Sequence, residues 1–155
     1  MKKIFTLCIV QNKERMLLGM KKRGFGKGRW NGFGGKVRGT ESIEEAMKRE
    51  LEEEAGLVPV EFEKKGVLEF RFQDDSEALQ VHLFRIENFT GEPQETEEMK
   101  SQWFSLQDIP FEEMWPDDKF WFPLFLEGKK FQGNFLFKDE NTILEHVLEE
   151  VDSLV

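Results

Sequence analysis

The stretch Gly35–Leu57, GKVRGTESIEEAMKRELEEEAGL, decides how this chain is read. From Ser42 onward it has the marks of a helix. Ser42 and Glu45 stand at capping-box spacing, an apolar and charged run follows, and Gly56 supplies the stop. On a wheel of about 100° per residue, with Glu50 at the origin, Glu53 falls at about −60° and Glu54 at about +40°. Ile43, Ala46 and Met47, the residues that must face a core, share that sector. The apolar stripe therefore turns into carboxylates over its last turn and a half. Three buried-side acids are costly unless something cationic sits among them. Charge runs of this kind are in general solvated helix faces, and Glu44, Glu45 and Glu52 read that way. Glu50, Glu53 and Glu54 instead suit a hard cation such as Mg²⁺, with oxygen ligands and retained waters.

The residues before this helix carry the opposite charge. From Arg15 to Arg38 the chain holds Arg15, Lys21, Lys22, Arg23, Lys27, Arg29, Lys36 and Arg38 and no acid, with glycines at 24, 26, 28, 32, 34 and 35. A basic glycine-rich loop beside an acidic helix describes a site for a polyanion and a divalent metal.

The remainder sets bounds. A chain of 155 residues with 39% hydrophobic and 34% charged residues is one domain, 1–155, with a core large enough to fold. A net charge of −9 argues against a nucleic-acid polymer as partner. One cysteine, Cys8, excludes a disulfide framework and a cysteine zinc site, and with only His82 and His146 beside it oxygen ligands are what remain. Ile4–Val10 is too short and lacks a cleavage site to be a secretion signal, and no run approaches the roughly 20 apolar residues of a membrane span. The expected setting is soluble and cytoplasmic, with mitochondrion and nucleus as further compartments.

Ile4–Val10 and Met16–Met20 read as strands in a hairpin or side by side, Glu61–Phe72 and Leu79–Ile86 as two strands around Asp74-Asp75-Ser76, and Gln102–Phe104 and Phe131–Phe137 as two more. Asp118–Leu126 reads as a helix interrupted at Pro123. Thr142–Val151 reads as an amphipathic helix, with Thr142 and Glu145 at capping-box spacing and Leu144, Val147, Leu148 and Val151 as its apolar side. Strands mixed with two or three helices indicate a layered α/β or α+β domain. Other motifs fail: there is no Walker loop, dinucleotide fingerprint, zinc-protease motif or nucleophile elbow. The two histidines read as packing or surface residues.

Gly35, Glu41, Arg49, Glu50, Leu51, Glu53, Glu54, Gly56 and Leu57 fill every fixed place of the pattern G-x5-E-x7-R-E-U-x-E-E-x-G-U, so residues 35–57 resemble the Nudix box. Beyond the box, LLGMKKRGFGKGRWNGFGGKV, MWPDDKFWFPLFL and the segment near the end look like the branch of that family that hydrolyses oxidised purine nucleoside triphosphates. The resemblance implies a mixed β-sheet sandwiched between helices. It implies a monomer that uses Mg²⁺, or Mn²⁺ in its place, to convert 8-oxo-dGTP, 2-hydroxy-dATP and related substrates to the monophosphate and pyrophosphate. By the same resemblance Glu50, Glu53 and Glu54 ligate the metal, with the Gly34 carbonyl and Glu98 as further ligands, and Arg49 orients the glutamates. Glu54 or Glu98 would take the proton from water. Thr6, Lys21, Asn31 and Phe33–Lys36 (Phe33, Gly34, Gly35, Lys36) match nucleotide contacts. Trp115, Pro116, Asp117, Asp118 and Trp121 match the base pocket, and Phe25, Phe70, Phe72 and Met99 its apolar walls. Leu79 departs from the pattern, standing where that branch carries methionine, and alters the pocket rim.

Taken alone, WPDD followed by FWF is a helix start over packed aromatics. Two tryptophans flanking two carboxyls also describe a purine slot, in which rings stack the base and carboxyls bond its N–H edge. Two rivals keep parts of this reading: a Nudix pyrophosphatase for another nucleoside-diphosphate-linked substrate, and a nucleotide-binding module without catalysis.

Overall fold

The computed structural model describes residues 2–75 and 77–154. Eight strands form one mixed sheet: β1 Lys2–Gln11, β2 Arg15–Lys21, β3 Trp30–Asn31, β4 Val58–Phe72, β5 Ala78–Thr90, β6 Met99–Ser105, β7 Lys130–Asp139 and β8 Thr142–Val151. Their order is β3-β2-β1-β5-β4-β7-β8, with β6 on the remaining edge of β2. Two helices flank the sheet, α1 Ile43–Ala55 and α2 Asp118–Leu126, and a single 3-10 turn at Phe111–Glu113 precedes α2.

Alternation along the central strands explains the layers, because successive side chains on a strand point to opposite faces. On β1, Cys8 and Val10 join Met47, Leu51 and Ala55 of α1, while Ile9 joins Trp121, Phe122 and Phe125 of α2. On β2, Leu17 goes to the first cluster and Met16 and Leu18 to the second. Both central strands are apolar on both faces because both faces are covered. The result is the helix–sheet–helix arrangement expected.

The cap of α1 forms as read: the Ser42 hydroxyl accepts from the Glu45 N–H and the Glu45 carboxylate accepts from the Ser42 N–H. β1 and β2 pair antiparallel only at Val10–Leu17 and Gln11–Met16; β1 runs mainly parallel to β5, and β2 antiparallel to β6. The edge of β1 that β2 vacates is taken by Phe33–Val37. Phe33 exchanges hydrogen bonds with Cys8, the Thr6 N–H donates to the Gly35 carbonyl, and the Val37 N–H donates to the Ile4 carbonyl. In the connection between β4 and β5, Ser76 lies outside the described residues.

Two expectations are corrected. Thr142–Val151 is strand β8, paired antiparallel with β7 along its length, and there is no helix there for Thr142 to cap. Its apolar spacing serves a strand because a register shift beside Phe137 lets Ile143 and Leu148 reach the core, while Leu144 and Val147 stay exposed. Without β8, β7 would present an unpaired edge. Second, α2 continues across Pro123. The bond forfeited there is outweighed by burial of Trp121, Phe122 and Phe125 on the inner side.

Removing the α1 cap tests how firmly the helix is anchored. Ser42→Ala should cost about 1 kcal/mol, read as a lower Tm with the fold retained. An unchanged Tm would mean that packing alone fixes the helix start.

Candidate active site

The last two turns of α1 press against backbone that has no side chain of its own. A Cβ on Gly34 would collide with the Thr6 carbonyl, and one on Gly35 would lie 2.7 Å from the Glu50 carboxyl. Glycine at 34 lets this backbone lie against β1, and glycine at 35 lets the Glu50 carboxylate approach it. The Gly34 N–H donates to Glu54 Oε1 at 2.8 Å. Glu50 and Glu54 are 8% and 6% exposed. Burial pushes the Glu54 carboxyl up to about 8, with Glu50 adding repulsion and the Gly34 N–H and Lys21 opposing the rise.

Arg49 organises the neighbouring acids. Its Nε and Nη2 donate to the two oxygens of Glu41 at 2.6 and 2.9 Å, its Nη1 donates to Glu50 at 2.7 Å and Glu53 at 3.3 Å, and Nη2 also reaches the Lys36 carbonyl. This two-armed bond, with the Arg38 N–H, holds Glu41 down at about 2. The wheel is corrected at one position. Glu53 lies off the buried stripe, its side chain 49% exposed, at the edge of α1 rather than under it. Glu98 is also exposed, 4.0 Å from Arg23.

The carboxylates suit a divalent cation by chemistry. They are hard oxygens on adjacent turns, one is buried with its acid form favoured, and the cluster opens to solvent at Glu53. Among the described residues no group of three His, Cys, Asp or Glu side chains already stands as a cage. An ion that keeps several of its waters does not need one.

From Glu54 a cleft of about 300 Å³ runs across the sheet to the start of α2. Thr6, Lys21, Phe25, Asn31, Gly34, Gly35, Phe70, Phe72, Met99, Trp115, Asp117 and Asp118 line it, as does Leu79. The expected Arg49, Glu50, Glu53 and Glu98 lie outside this lining, and four of the expected nucleotide contacts do too. Phe33 is wholly buried under α1 because its side chain belongs to that core. Lys36 is exposed, and Pro116 is half-buried outside the lining. Trp121 is 1% exposed and stacks on Phe122 and Phe131 beneath the slot. It still touches the site, since its Nε1–H donates to Asp117 Oδ2 at 2.9 Å.

Asp117 and Asp118 are both buried at the closed end. Loss of water raises both carboxyls, and the charge of Asp117 raises Asp118 well above the ordinary value. Asp118 Oδ2 and Thr6 Oγ1 are buried without a hydrogen-bond partner among the described residues, and both residues line the cleft. His82 lies apart from the cleft, on β5. Its ring is paired with Gln80 and kept neutral by burial, which lowers it to about 4. His146 stacks on Phe135.

Sequence reasoning did not assign Phe5, Leu7, Val81, Phe137 or Arg29 to the site, though all line the cleft. The first four sit on sheet strands whose pairing brings them there, and no local motif marks them. Arg29 was visible only as one of eight cations between Arg15 and Arg38.

Residues 1–125 match the NUDIX domain, and the chain belongs to that family. It is 53% identical over 151 residues to the oxidized purine nucleoside triphosphate hydrolase of Mus musculus, covering 97% of each chain. It is 51% identical over 152 residues to the protein of the same name from Danio rerio, covering 98% of this chain and 97% of that one. The crystal structure of the MutT protein from Bacillus halodurans superposes with a TM-score of 0.86 at 28% identity, covering 95% of this chain and 97% of the other.

The aspartate pair makes a stability prediction. A raised native pKa means that the folded chain keeps a proton which the unfolded chain releases. Stability is therefore lost as pH rises from the ordinary value of 3.8 toward the raised native value. Asp118→Asn, which mimics the protonated acid, should raise Tm by a margin that widens as pH rises above the ordinary value of 3.8. A margin that stays constant or narrows would show that the pair is ionised in the native state.

Proposed function

We propose that this chain hydrolyses oxidised purine nucleoside triphosphates, 8-oxo-dGTP and 2-hydroxy-dATP among them, to the monophosphate and pyrophosphate. In doing so it removes mutagenic precursors from the nucleotide pool. The observation that carries this reading is the polarity of one cleft. It has the Glu54 carboxyl and bare glycine backbone at one end, and aromatic walls around a buried pair of carboxyls at the other. Relatives of the same length and more than half identical carry the corresponding name.

Glu50, Glu53 and Glu54, with Glu98 and the Gly34 carbonyl, would hold magnesium, for which manganese substitutes. When bound, such an ion neutralises phosphate oxygens and makes a coordinated water more acidic. The protein's own groups do the rest. Arg49 fixes the orientation of Glu50 and Glu53 and offsets their charge. Lys21 lines the cleft near Glu54 and faces the phosphates. Glu54 or Glu98 accepts the proton of the attacking water. At the far end the face of Trp115 stacks the purine, an interaction worth about 1–3 kcal/mol per base. Asp117 and Asp118 bond its edge. Phe25, Phe70, Phe72, Leu79 and Met99 exclude water from the slot. In this reading the protein acts as a monomer in the cytoplasm.

The test is magnesium-dependent pyrophosphate release from 8-oxo-dGTP compared with dGTP. Higher kcat/KM on the oxidised base is expected, and equal values would overturn the substrate assignment. Glu54→Gln should lower kcat by about a hundredfold or more while the fold is kept. Near-native turnover at saturating Mg²⁺ would remove Glu54 from the metal site.

The aspartates predict substrate breadth. A protonated Asp donates a hydrogen bond that an ionised one cannot, and the two oxidised purines present different donor and acceptor orders. One proton moving within the pair serves both. Asp118→Asn should impair 8-oxo-dGTP and 2-hydroxy-dATP unequally, and Asp117→Asn should shift their ratio differently. Identical kcat/KM ratios in wild type and both variants would leave the pair a structural role only.

A further inference from the structure

Arg29 is the one cation of the cleft wall that the reading above leaves without a task. It stands half-buried just before β3, on the far side of the glycine-rich loop from Lys21. Its guanidinium carbon lies 4.5 Å from the centre of the Trp115 ring. Nη1 donates to the Met114 carbonyl at 3.2 Å, one residue before that ring. Nη2 donates to the Glu140 carbonyl at 3.1 Å and to Asn141 Oδ1 at 2.5 Å, both in the turn between β7 and β8.

Trp115 also packs against the core cluster beneath α2 and meets two further rings. Phe25 meets it at 5.1 Å in a tilted contact, but Phe25 is itself 58% exposed. Phe137 meets it at 6.3 Å, edge on. Contacts of this kind exclude water yet allow the indole to slide and tilt. A planar guanidinium held by three directed bonds does not slide, and it favours a ring face parallel to itself. Arg29 also stands where its charge opposes that of Asp117 and Asp118 together. One side chain thus links the stacking face to the two carboxyls that read the base edge.

We propose that Arg29 is a positioning residue for base selection, fixing the plane of Trp115 against the slot from its bonds to the Met114 and Glu140 carbonyls. This rests on the base-slot reading above. A plainer role is available, since the same bonds could staple the loop to the turn without affecting the base, and the experiment separates the two.

The probes are 8-oxo-dGMP and dGMP, whose binding by calorimetry needs no metal, together with steady-state hydrolysis of 8-oxo-dGTP. Arg29→Met should weaken 8-oxo-dGMP by about tenfold, and its rise in KM should exceed any fall in kcat. Arg29→Lys, which keeps a cation near the ring but loses the fork, should recover part of that loss. Asn141→Ala removes the side-chain tether to the turn and leaves the guanidinium over the ring, so its Kd should stay within about twofold of wild type. In a Trp115→Leu background, Arg29→Met should add less than about twofold, because the partner through which it acts is gone. The assignment is overturned if Arg29→Met binds as tightly as wild type, if the two substitutions add fully, or if Asn141→Ala costs as much as Arg29→Met. A wild type that binds 8-oxo-dGMP and dGMP equally would instead overturn the selectivity of the slot. The Arg29–Trp115 coupling would then still be read on both nucleotides.

Discussion

Two carboxylates set on the core side of a helix govern the architecture. Glu50 and Glu54 occupy the stripe that Ala46, Met47 and Leu51 begin, where an unpaired charge costs several kcal/mol. Three provisions offset that cost. Arg49 reaches around the helix to Glu50 and is itself held by Glu41. The Gly34 N–H meets Glu54. Glycine at 34 lets the segment lie against Thr6 of β1, and glycine at 35 leaves room for the Glu50 carboxyl. The Gly34 contact depends on the Phe33–Val37 segment lying along the edge of β1 that β2 leaves open after two residue pairs. The unusual path of the first two strands is thus tied to the burial of acid on α1.

From this anchored end the sheet supplies the rest of the cleft. Met99 enters from β6, Phe70 and Phe72 from β4, Leu79 and Val81 from β5 and Phe137 from β7, so residues far apart in sequence form one apolar trough. The start of α2 closes it. There Trp121, wholly inside the core, bonds Asp117 and transmits the rigidity of the packed helix to the carboxyl at the surface of the slot. Charge is graded along the trough: acids offset by Arg49 and Lys21 at one end, and two acids opposed by Arg29 at the other.

The parts of this design written in short range were legible beforehand. The Ser42–Glu45 cap, the Gly56 stop and the acid stripe follow from helical spacing, and the resemblance of residues 35–57 to the Nudix box gave the fold and the chemistry to expect. Most of the pocket residues named by resemblance do line the cleft. What sequence could not supply is long-range. The spacing of Leu144, Val147, Leu148 and Val151 fits a helix, and only pairing with β7 shows that it is a strand with a register shift. Phe33 and Trp121 sit beside site residues in sequence, yet alternation and helix phase turn them into the core. Glu53 falls just outside the buried sector because a wheel gives angle but not depth.

Strand β8 has a consequence for the order in which the molecule can be built. β7 is flanked by β4, paired in parallel across some sixty residues of chain, and by β8, its neighbour through a tight turn. It carries Phe131, Phe135 and Phe137 into the core. Until β8 pairs with it, β7 would offer unpaired backbone N–H and C=O groups on an open edge, the form most prone to join another chain. Once β8 docks, the outer edge carries Glu145, Glu149 and Glu150, and like charges repel a second copy approaching edge to edge. Docking of the β7–β8 hairpin is therefore also the step that turns a sticky intermediate into a self-avoiding particle.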